Sequence, residues 1–437
     1  MNKLSKKQIW VLLFLFFIIR IVWCLIFGWK EIDPGSDGPE YNSSALHILK
    51  DWSWLIHPDF LGHYRPPVYP VFLAIIYHFF GAGNLKAVFF FQAIINTITV
   101  YYIFKLSSHI LGERNSYLSL LWSGIYVLYF YWIGRLYRET LVWFFLIFSF
   151  YQLWLFFETQ KSGNLLRNKH AWLFLISFVL LVHTDGRFLF YVPFFIILFV
   201  IFFGFSYGIK QYAKILLIFL LMLVPWTIRN YFAYKGFVLI STWTLDLRKN
   251  KEEGFIARLR HLYSNNKTER YKCLNPDYPS EEEIRLIKKG LNPRNRPKYE
   301  IELIRKGKLP ATTYIGRKLY FLARMWLPFK FSWDYYPFPY AYLNKPWSLK
   351  HNIVSILLYG TLLPFFFFSL FYLIKKGRSK AVLFLSFPIW CHFLLHFLMW
   401  GKERYRIQID AFIIILGCYG IQIFIGYMKR ILCSLKQ

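Results

Sequence analysis

The chain is short of acid. Its 437 residues hold 23 Asp and Glu against 53 Lys and Arg, a formal net charge of +30. Cysteine is scarce too. Cys24, Cys391 and Cys418 fall in apolar runs, Cys433 in a basic tail and Cys273 in a polar segment. That scatter excludes a disulfide framework and any zinc-ligand spacing. No Asp-x-Asp pair occurs, so no metal is required, although a divalent ion stays compatible with the acids that exist. The sequence also lacks internal repeats and inverted pairs of interrupted apolar segments, which transporters often carry. What is abundant excludes a soluble domain: 57% of residues are hydrophobic, 22% are aromatic, and 48 are Phe.

Apolar runs long enough to cross a bilayer, roughly 17–25 residues each, recur along the whole chain. They lie near 9–28, 85–105, 116–134, 140–157, 171–186, 188–207, 213–228, 351–374, 380–400 and 407–427. The pattern predicts an all-α polytopic membrane protein with about ten transmembrane helices. The first run ends in Gly28-Trp29-Lys30 rather than a small-residue cleavage site, so it is expected to remain as a span. Residues 67–82 form a shorter run that follows Arg65 and contains Pro70. Counting it as a span would invert every later loop, so a helix lying in the interface is expected there. Basic residues then set the orientation. Lys3, Lys6 and Lys7, the run Lys375 to Lys380, and Lys429, Arg430 and Lys436 share one side. The short loops opposite are poorer in Lys and Arg, which puts both termini in the cytoplasm. The expected membrane is a bacterial inner membrane, with the site on its periplasmic face.

Three parts follow from this map. Residues 1–242 form an N-terminal transmembrane module whose first outer loop, 29–84, carries interfacial helices. Residues 243–350 form a small, mostly helical outer cap, and 351–437 the C-terminal transmembrane helices. Within the cap, EEEIRLIKKGL at 281–291 predicts an amphipathic helix capped by Ser280, and 311–329 one leading back to the membrane. The cap is rich in Arg and Lys. It suits anionic lipid headgroups, or a substrate bearing phosphate or carboxylate. Nucleic acid is not expected at such a face.

The few acids are not evenly spread. DPGSDGPEY at 33–41 places Asp33, Asp37 and Glu40 within one short loop. Its prolines and glycines suit a solvated turn. Its carboxylates repel one another, which raises the pKa of at least one and suits a general base or a cation site. Arg65, Arg138, Glu139, Asp185, Arg187, Arg229, Arg404, Arg406 and Asp410 also map to the outer ends of the spans, and almost no charge maps to mid-span. A transport path needs ionisable groups near the bilayer centre. Acids and arginines at one interface instead suit a site that works on a headgroup while its tail stays in lipid.

The chemistry narrows from there. The outer face holds no nucleotide sugar, so an activated donor must arrive on a lipid. A polyprenyl-phosphate sugar meets that need. Arginines bind its phosphate, and carboxylates stabilise an oxocarbenium-like carbon and take the acceptor's proton. Other clusters have plainer readings. His57, Asp59 and His63 suit a polar loop better than a metal site. His392 and His396, one helical turn apart, suit buried hydrogen bonding. Asn266-Lys267-Thr268 is a glycosylation acceptor only in a eukaryotic lumen.

Six segments, in order, resemble the GT-C membrane glycosyltransferases, in the branch of the protein O-mannosyltransferases and lipid A aminoarabinose transferases. They are DGPEYNSSALHIL (37–49), RPPVYPVFLAIIYHFFG (65–81), RETLVWF (138–144), TDGRFLFYVP (184–193), VPWTIRNYFAYKGFVLIST (224–242) and ERYRIQIDAF (403–412). The resemblance implies an inverting transfer from a polyprenyl-phosphate sugar to a lipid, glycan or protein acceptor, with no cofactor required. It implies that Asp37 is the catalytic acid of the first loop and Glu139 the second carboxylate. Tyr41 would line the donor cleft, and Arg65, Arg187, Arg404 and Arg406 would be candidates for the lipid phosphate. Arg229 is a helix-end anchor that the likeness moves towards the headgroup. Gln408 and Ala411 stand where the family usually has Pro. The rival reading is a transporter or flippase of a lipid-linked glycan, and a third is a non-catalytic scaffold.

Overall fold

The computed structural model describes residues 4–29, 31–32, 37–56, 65–160, 165–234, 237–240, 307, 319, 322, 325–328, 353–398 and 403–434. The predicted cap helices at 281–291 and 311–329 fall almost wholly outside them. The chain divides into two units. The first holds Met1–Thr244, Leu357–His392 and Ile407–Gln437, and the second Leu245–Ile356 and Phe393–Arg406.

Among the described residues every regular element is helical, as the composition predicts. The N-terminal half runs α1 (Lys6–Phe27), α2 (Gly38–Lys50), α3 (Val68–Phe80), α4 (Leu85–Leu111), α5 (Glu113–Ile125), α6 (Val127–Ile133) and α7 (Glu139–Thr159). Then come α8 (Lys169–Thr184), a 3-10 segment (Gly186–Phe194), α9 (Phe195–Phe203) and α10 (Phe205–Tyr234). The C-terminal part holds α11 (Leu362–Lys375), α12 (Ser379–Leu398), α13 (Glu403–Ile407) and α14 (Asp410–Ser434). Local chemistry starts these helices. Ser5 and Gln8 form a reciprocal capping box at α1. Asn84 and Asn168 accept from backbone N–H groups at the starts of α4 and α8.

Among the described residues, eight helical stretches are long and apolar enough to cross a membrane. Large apolar side chains such as Leu25, Phe232 and Phe371 are exposed on them, as lipid-facing surface requires. Two predicted crossings differ from expectation. The run at 116–134 is broken into α5 and α6 at Tyr126, whose backbone is extended (φ −69°, ψ 91°). Ser123 and Gly124 stand just before the break, a pairing that favours kinks. The run at 171–186 is the 16-residue α8, and the chain continues through the 3-10 segment into α9. The 67–82 run is the short α3, which buries Tyr69, Leu73, Ala74 and Tyr77 and packs on α2.

In the first unit α7 lies along α8, α4 along α5 and α7, and α14 along both α5 and α11. The α11–α14 contact is close. A Cβ at Gly420 would lie 2.1 Å from the Phe365 carbonyl oxygen, and one at Gly417 3.0 Å from Leu362. By chain direction, the starts of α2, α4, α7 and α14 and the ends of α6, α8 and α10 fall at one end of this bundle.

Candidate active site

Two polar clusters occupy that end. The first is built on α2. Asp37 stands at the N-cap of α2, but its side chain makes no capping bond. It turns to Arg65, which donates from Nη2 to Asp37 Oδ1 (2.8 Å) and from Nε to Glu40 Oε2 (2.6 Å). One guanidinium thus relieves the repulsion expected between these two acids. Arg65 is 11% exposed and Asp37 28%, so the pairs are neither fully wet nor sealed. Asp33, the third acid of the loop, lies outside the described residues. Further along the loop, the Ser53 hydroxyl and backbone N–H bond to Asp51 and hold its carboxyl below the usual range.

The Arg65 guanidinium sits 5.1 Å over the Tyr41 ring. Tyr41 is fully buried and meets Tyr69 edge-on at 4.9 Å. The Tyr69 hydroxyl donates to Gln92 Oε1 (3.0 Å), and Gln92 Nε2 donates to the Ile133 and Arg135 carbonyls (2.6 and 2.9 Å). A continuous chain of contacts therefore runs from the acidic loop, through α3 and α4, to the α6–α7 turn. Glu139 begins α7 just beyond that turn and is fully buried. A carboxylate at this position is favoured by the helix N-terminus. Tyr69 lies within electrostatic reach of Glu139, and Leu136 and Leu141 pack into the same apolar cluster as Tyr41. Gln92 was not singled out from the sequence. Its signal is a lone amide in the apolar run FFFQAII.

The second cluster is built on Asp185, which caps the C-terminus of α8 and is 1% exposed. Arg187 Nε donates to both of its oxygens (2.9 and 3.1 Å), and Arg187 Nη2 adds a further contact. Arg138 Nη2 pairs with Asp185 Oδ2 at 3.1 Å. Gln408 Nε2 lies 3.4 Å from the same oxygen, a side-chain contact that Pro at this position could not make. Two guanidiniums thus share one buried carboxylate. Arg138, adjacent to Glu139 in sequence, carries the α7 start into this cluster.

The remaining candidates are placed differently. Arg229 Nε donates to the Leu55 carbonyl, its Nη1 to Asn230 Oδ1 (2.8 Å), and its guanidinium lies 4.5 Å over Trp226. It ties the end of α10 to the first loop. Arg404 and Arg406 belong to the second unit, where Arg406 is buried; the Arg404 side chain is outside the description. His392 Nδ1 lies 2.8 Å from the Tyr191 hydroxyl, and His396 stacks on Tyr405 at 4.8 Å. His57, Asp59 and His63 lie outside the described residues. Among the described residues no group of three or more His, Cys, Asp or Glu is placed to hold a metal ion.

The sequence matches no protein-family model and no curated protein. Solved structures give a clear likeness. The archaeal oligosaccharyltransferase AglB from Archaeoglobus fulgidus, in complex with an inhibitory peptide and a dolichol-phosphate, aligns over 98% of this chain and 52% of its own, at 14% identity and a TM-score of 0.56. The apo form of the Archaeoglobus fulgidus oligosaccharyltransferase aligns over 99% and 52%, at 14% identity and a TM-score of 0.57. The chain shares the fold of these archaeal structures. It spans about half the length of these archaeal enzymes. ArnT from Cupriavidus metallidurans aligns at 12% identity over 95% of this chain and 76% of its own, with a TM-score of 0.40. Within this shared fold, both acid-bearing segments, the first loop and the α6–α7 turn, lie at the same end of the helical unit.

Proposed function

We propose that the protein is an inverting glycosyltransferase that uses a polyprenyl-phosphate sugar at the outer face of the membrane. The observation that carries this reading is the joining of the Asp37–Arg65–Glu40 cluster to the Glu139 turn through Tyr41, Tyr69 and Gln92. The acceptor oxygen bonds to the anomeric carbon as the bond from that carbon to the phosphate oxygen breaks. The acceptor's proton passes to Asp37, which Arg65 orients. Glu139 is the second carboxylate beside the developing positive charge on the sugar. The phosphate leaves with its bonding electron pair, and its growing charge is met by arginines. Arg187, with Arg138 beside it on the shared Asp185, is the best supported of these. Arg65 serves the acids in this arrangement, and Arg229, Arg404 and Arg406 remain candidates for the headgroup. Tyr41, expected to line the donor cleft, is buried beneath Arg65 and acts by supporting that arginine from behind.

Residues 1–242 form the catalytic module, 243–350 an outer cap and 351–437 the closing helices. The basic inner loops support cytoplasmic termini and a periplasmic site in a bacterial inner membrane. The acceptor is an envelope lipid, glycan or protein. A transporter reading expects an ionisable group in the bundle interior that faces a pathway. Arg20 is buried in the interior, but its contacts go to helix carbonyls and Asn96, as a structural group's do. The deciding experiment incubates the purified protein in nanodiscs with radiolabelled polyprenyl-phosphate sugars and extracts of envelope acceptors, alongside lipid profiles of cells with and without the gene. Transfer in vitro and accumulation of one polyprenyl-phosphate sugar in the deleted cells are expected. Binding or translocation without turnover would replace the reading with the flippase.

A further inference from the structure

A charged side chain inside the apolar α1 has no part in either cluster. Arg20 sits well inside α1 and is fully buried. Its position in the run FLFFIIRIVWCL sets it apart from every other arginine discussed so far, all of which map to span ends. A guanidinium in such surroundings is costly unless its donors are met. They are met, but not by a carboxylate. Nε donates to Asn96 Oδ1 (2.7 Å), and Nη1 to the Phe16 and Gly124 carbonyls (2.9 and 3.0 Å). Nη2 reaches the Ser123 carbonyl (3.4 Å), and the guanidinium covers the Phe130 ring at 4.7 Å.

Two of these acceptors matter most. Ser123 and Gly124 lie in the last turn of α5, immediately before the break at Tyr126. A helix that stops inside a membrane frees carbonyls that neither lipid nor water satisfies, at several kcal/mol each. Arg20 supplies the missing donors. A cation at a helix C-terminus is also favoured by the helix dipole. Beyond the break, the Tyr126 hydroxyl donates to Asp410 Oδ2 (2.6 Å) at the start of α14, so the interrupted span is held on both sides.

α1 follows the broken span along its length. At the lower end the Phe16 ring fills the space over Gly124, where a Cβ would come within 2.3 Å of it. In the middle, Arg20 holds the break and Trp23 meets Phe130 at 5.8 Å. At the upper end a Cβ on Gly134 would lie 2.9 Å from Gly28 Cα, and Trp29 N–H donates to the Gly134 carbonyl (3.0 Å). Gly134 opens the turn that carries Arg138 and Glu139, and Trp29 opens the loop that carries Asp37. The position of α6 along α1 therefore sets the position of one acid against the other.

We infer that Arg20 is a positioning residue: it closes the break between α5 and α6 and so holds the Glu139 turn in register with the Asp37 loop. Its effect on turnover rests on the proposed glycosyl transfer; its effect on the break does not. The two are separable by experiment. Amide hydrogen exchange over 123–139 is measured in nanodiscs for wild type, Arg20→Met, Arg20→Lys and the milder Asn96→Ala, with α10 and α11 as internal controls of folding. Steady-state kinetics with a polyprenyl-phosphate sugar are measured on the same preparations.

Faster exchange confined to 123–139 is expected in Arg20→Met and, more weakly, in Asn96→Ala. In the same variants kcat should fall, by about 100-fold for Arg20→Met, the scale on which an ångström of misplacement costs turnover. Donor KM should move little, because neither acid nor either arginine of the Asp185 cluster is altered. Arg20→Lys keeps the charge and some reach, and should recover part of both effects. Unchanged exchange at 123–139 in Arg20→Met and Asn96→Ala overturns the inference. So does raised exchange with wild-type kcat, or a loss seen only in KM. If wild type itself transfers no sugar, the proposed function falls, and the exchange data alone decide whether Arg20 holds the break.

Discussion

Asp185→Asn is the sharpest single perturbation of this protein. The wild-type carboxylate is 1% exposed and faces Arg187, itself 2% exposed, and Arg138, 10% exposed. An exposed ion pair contributes about 0–1 kcal/mol because water screens it. Removing one partner of a buried pair costs about 3–5 kcal/mol, because the remaining charge is stranded. The burial of all three groups puts Asp185 in the second regime. Asparagine keeps one acceptor oxygen but points an amide at a guanidinium, so the two arginines lose their shared counter-charge at once. The Arg187 N–H to Asp185 contact that shapes the 3-10 turn after α8 weakens with it. The measurement is SDS-induced unfolding of the purified protein followed by tryptophan fluorescence. A destabilisation of about 3–5 kcal/mol is expected for the single variant. The double variant Asp185→Asn/Arg138→Gln should recover about 1–3 kcal/mol, because one stranded charge is gone. A single variant within about 0.5 kcal/mol of wild type, the range of an uncoupled surface change, would place the cluster among screened surface pairs and refute this reasoning.

Four further outcomes are expected. Asp37→Asn should abolish transfer while leaving expression and donor binding intact, because the amide keeps shape but accepts no proton; turnover near wild type would remove Asp37 from the base role. Glu139→Gln should lower kcat with little change in donor KM, read in the same assay. Arg187→Ala should lower kcat/KM by about 10–1000-fold, on the scale of losing one charge-stabilising donor, and Arg187→Lys should restore only part because the fork is lost. Gln92→Leu should cost about 1–3 kcal/mol of stability by leaving the Ile133 and Arg135 carbonyls and the Tyr69 hydroxyl unmet, checked by the same unfolding titration.

Much of the fold was legible because bilayer crossing needs length and apolarity, which are counted directly along the chain. α1, α4, α7 and α14 follow the predicted runs for this reason. The short 67–82 run was legible from its Pro and its effect on loop charge, and α3 has those proportions. The break at Tyr126 was not. Residues 116–134 read as one apolar run, and the guanidinium that meets the carbonyls at the end of α5 lies about a hundred positions away, which no local pattern records. Arg20 was hidden for the matching reason: its acceptors Asn96, Ser123 and Gly124 meet it only once α1, α4 and α5 are packed. At the site, Asp37, Glu139 and Arg187 carried visible signals as charges at the ends of apolar runs. The partnerships of Arg138 and Gln408 with Asp185 join residues 47 and 223 positions apart, and only the packed helices bring them together.

The glycine face of α14 has a mechanical consequence. With Gly420 pressed against the Phe365 carbonyl and Gly417 against Leu362, α14 can neither roll about its axis nor slide along α11 without a backbone collision. Asp410, at the head of α14, is thereby fixed in azimuth and height. The α11–α14 pair is a stator. If the proposed lipid-borne donor is the substrate, the motion that admits it is expected in elements joined to the bundle by turns, such as α2, α3 and the 3-10 segment after α8, while the wall behind them stays still.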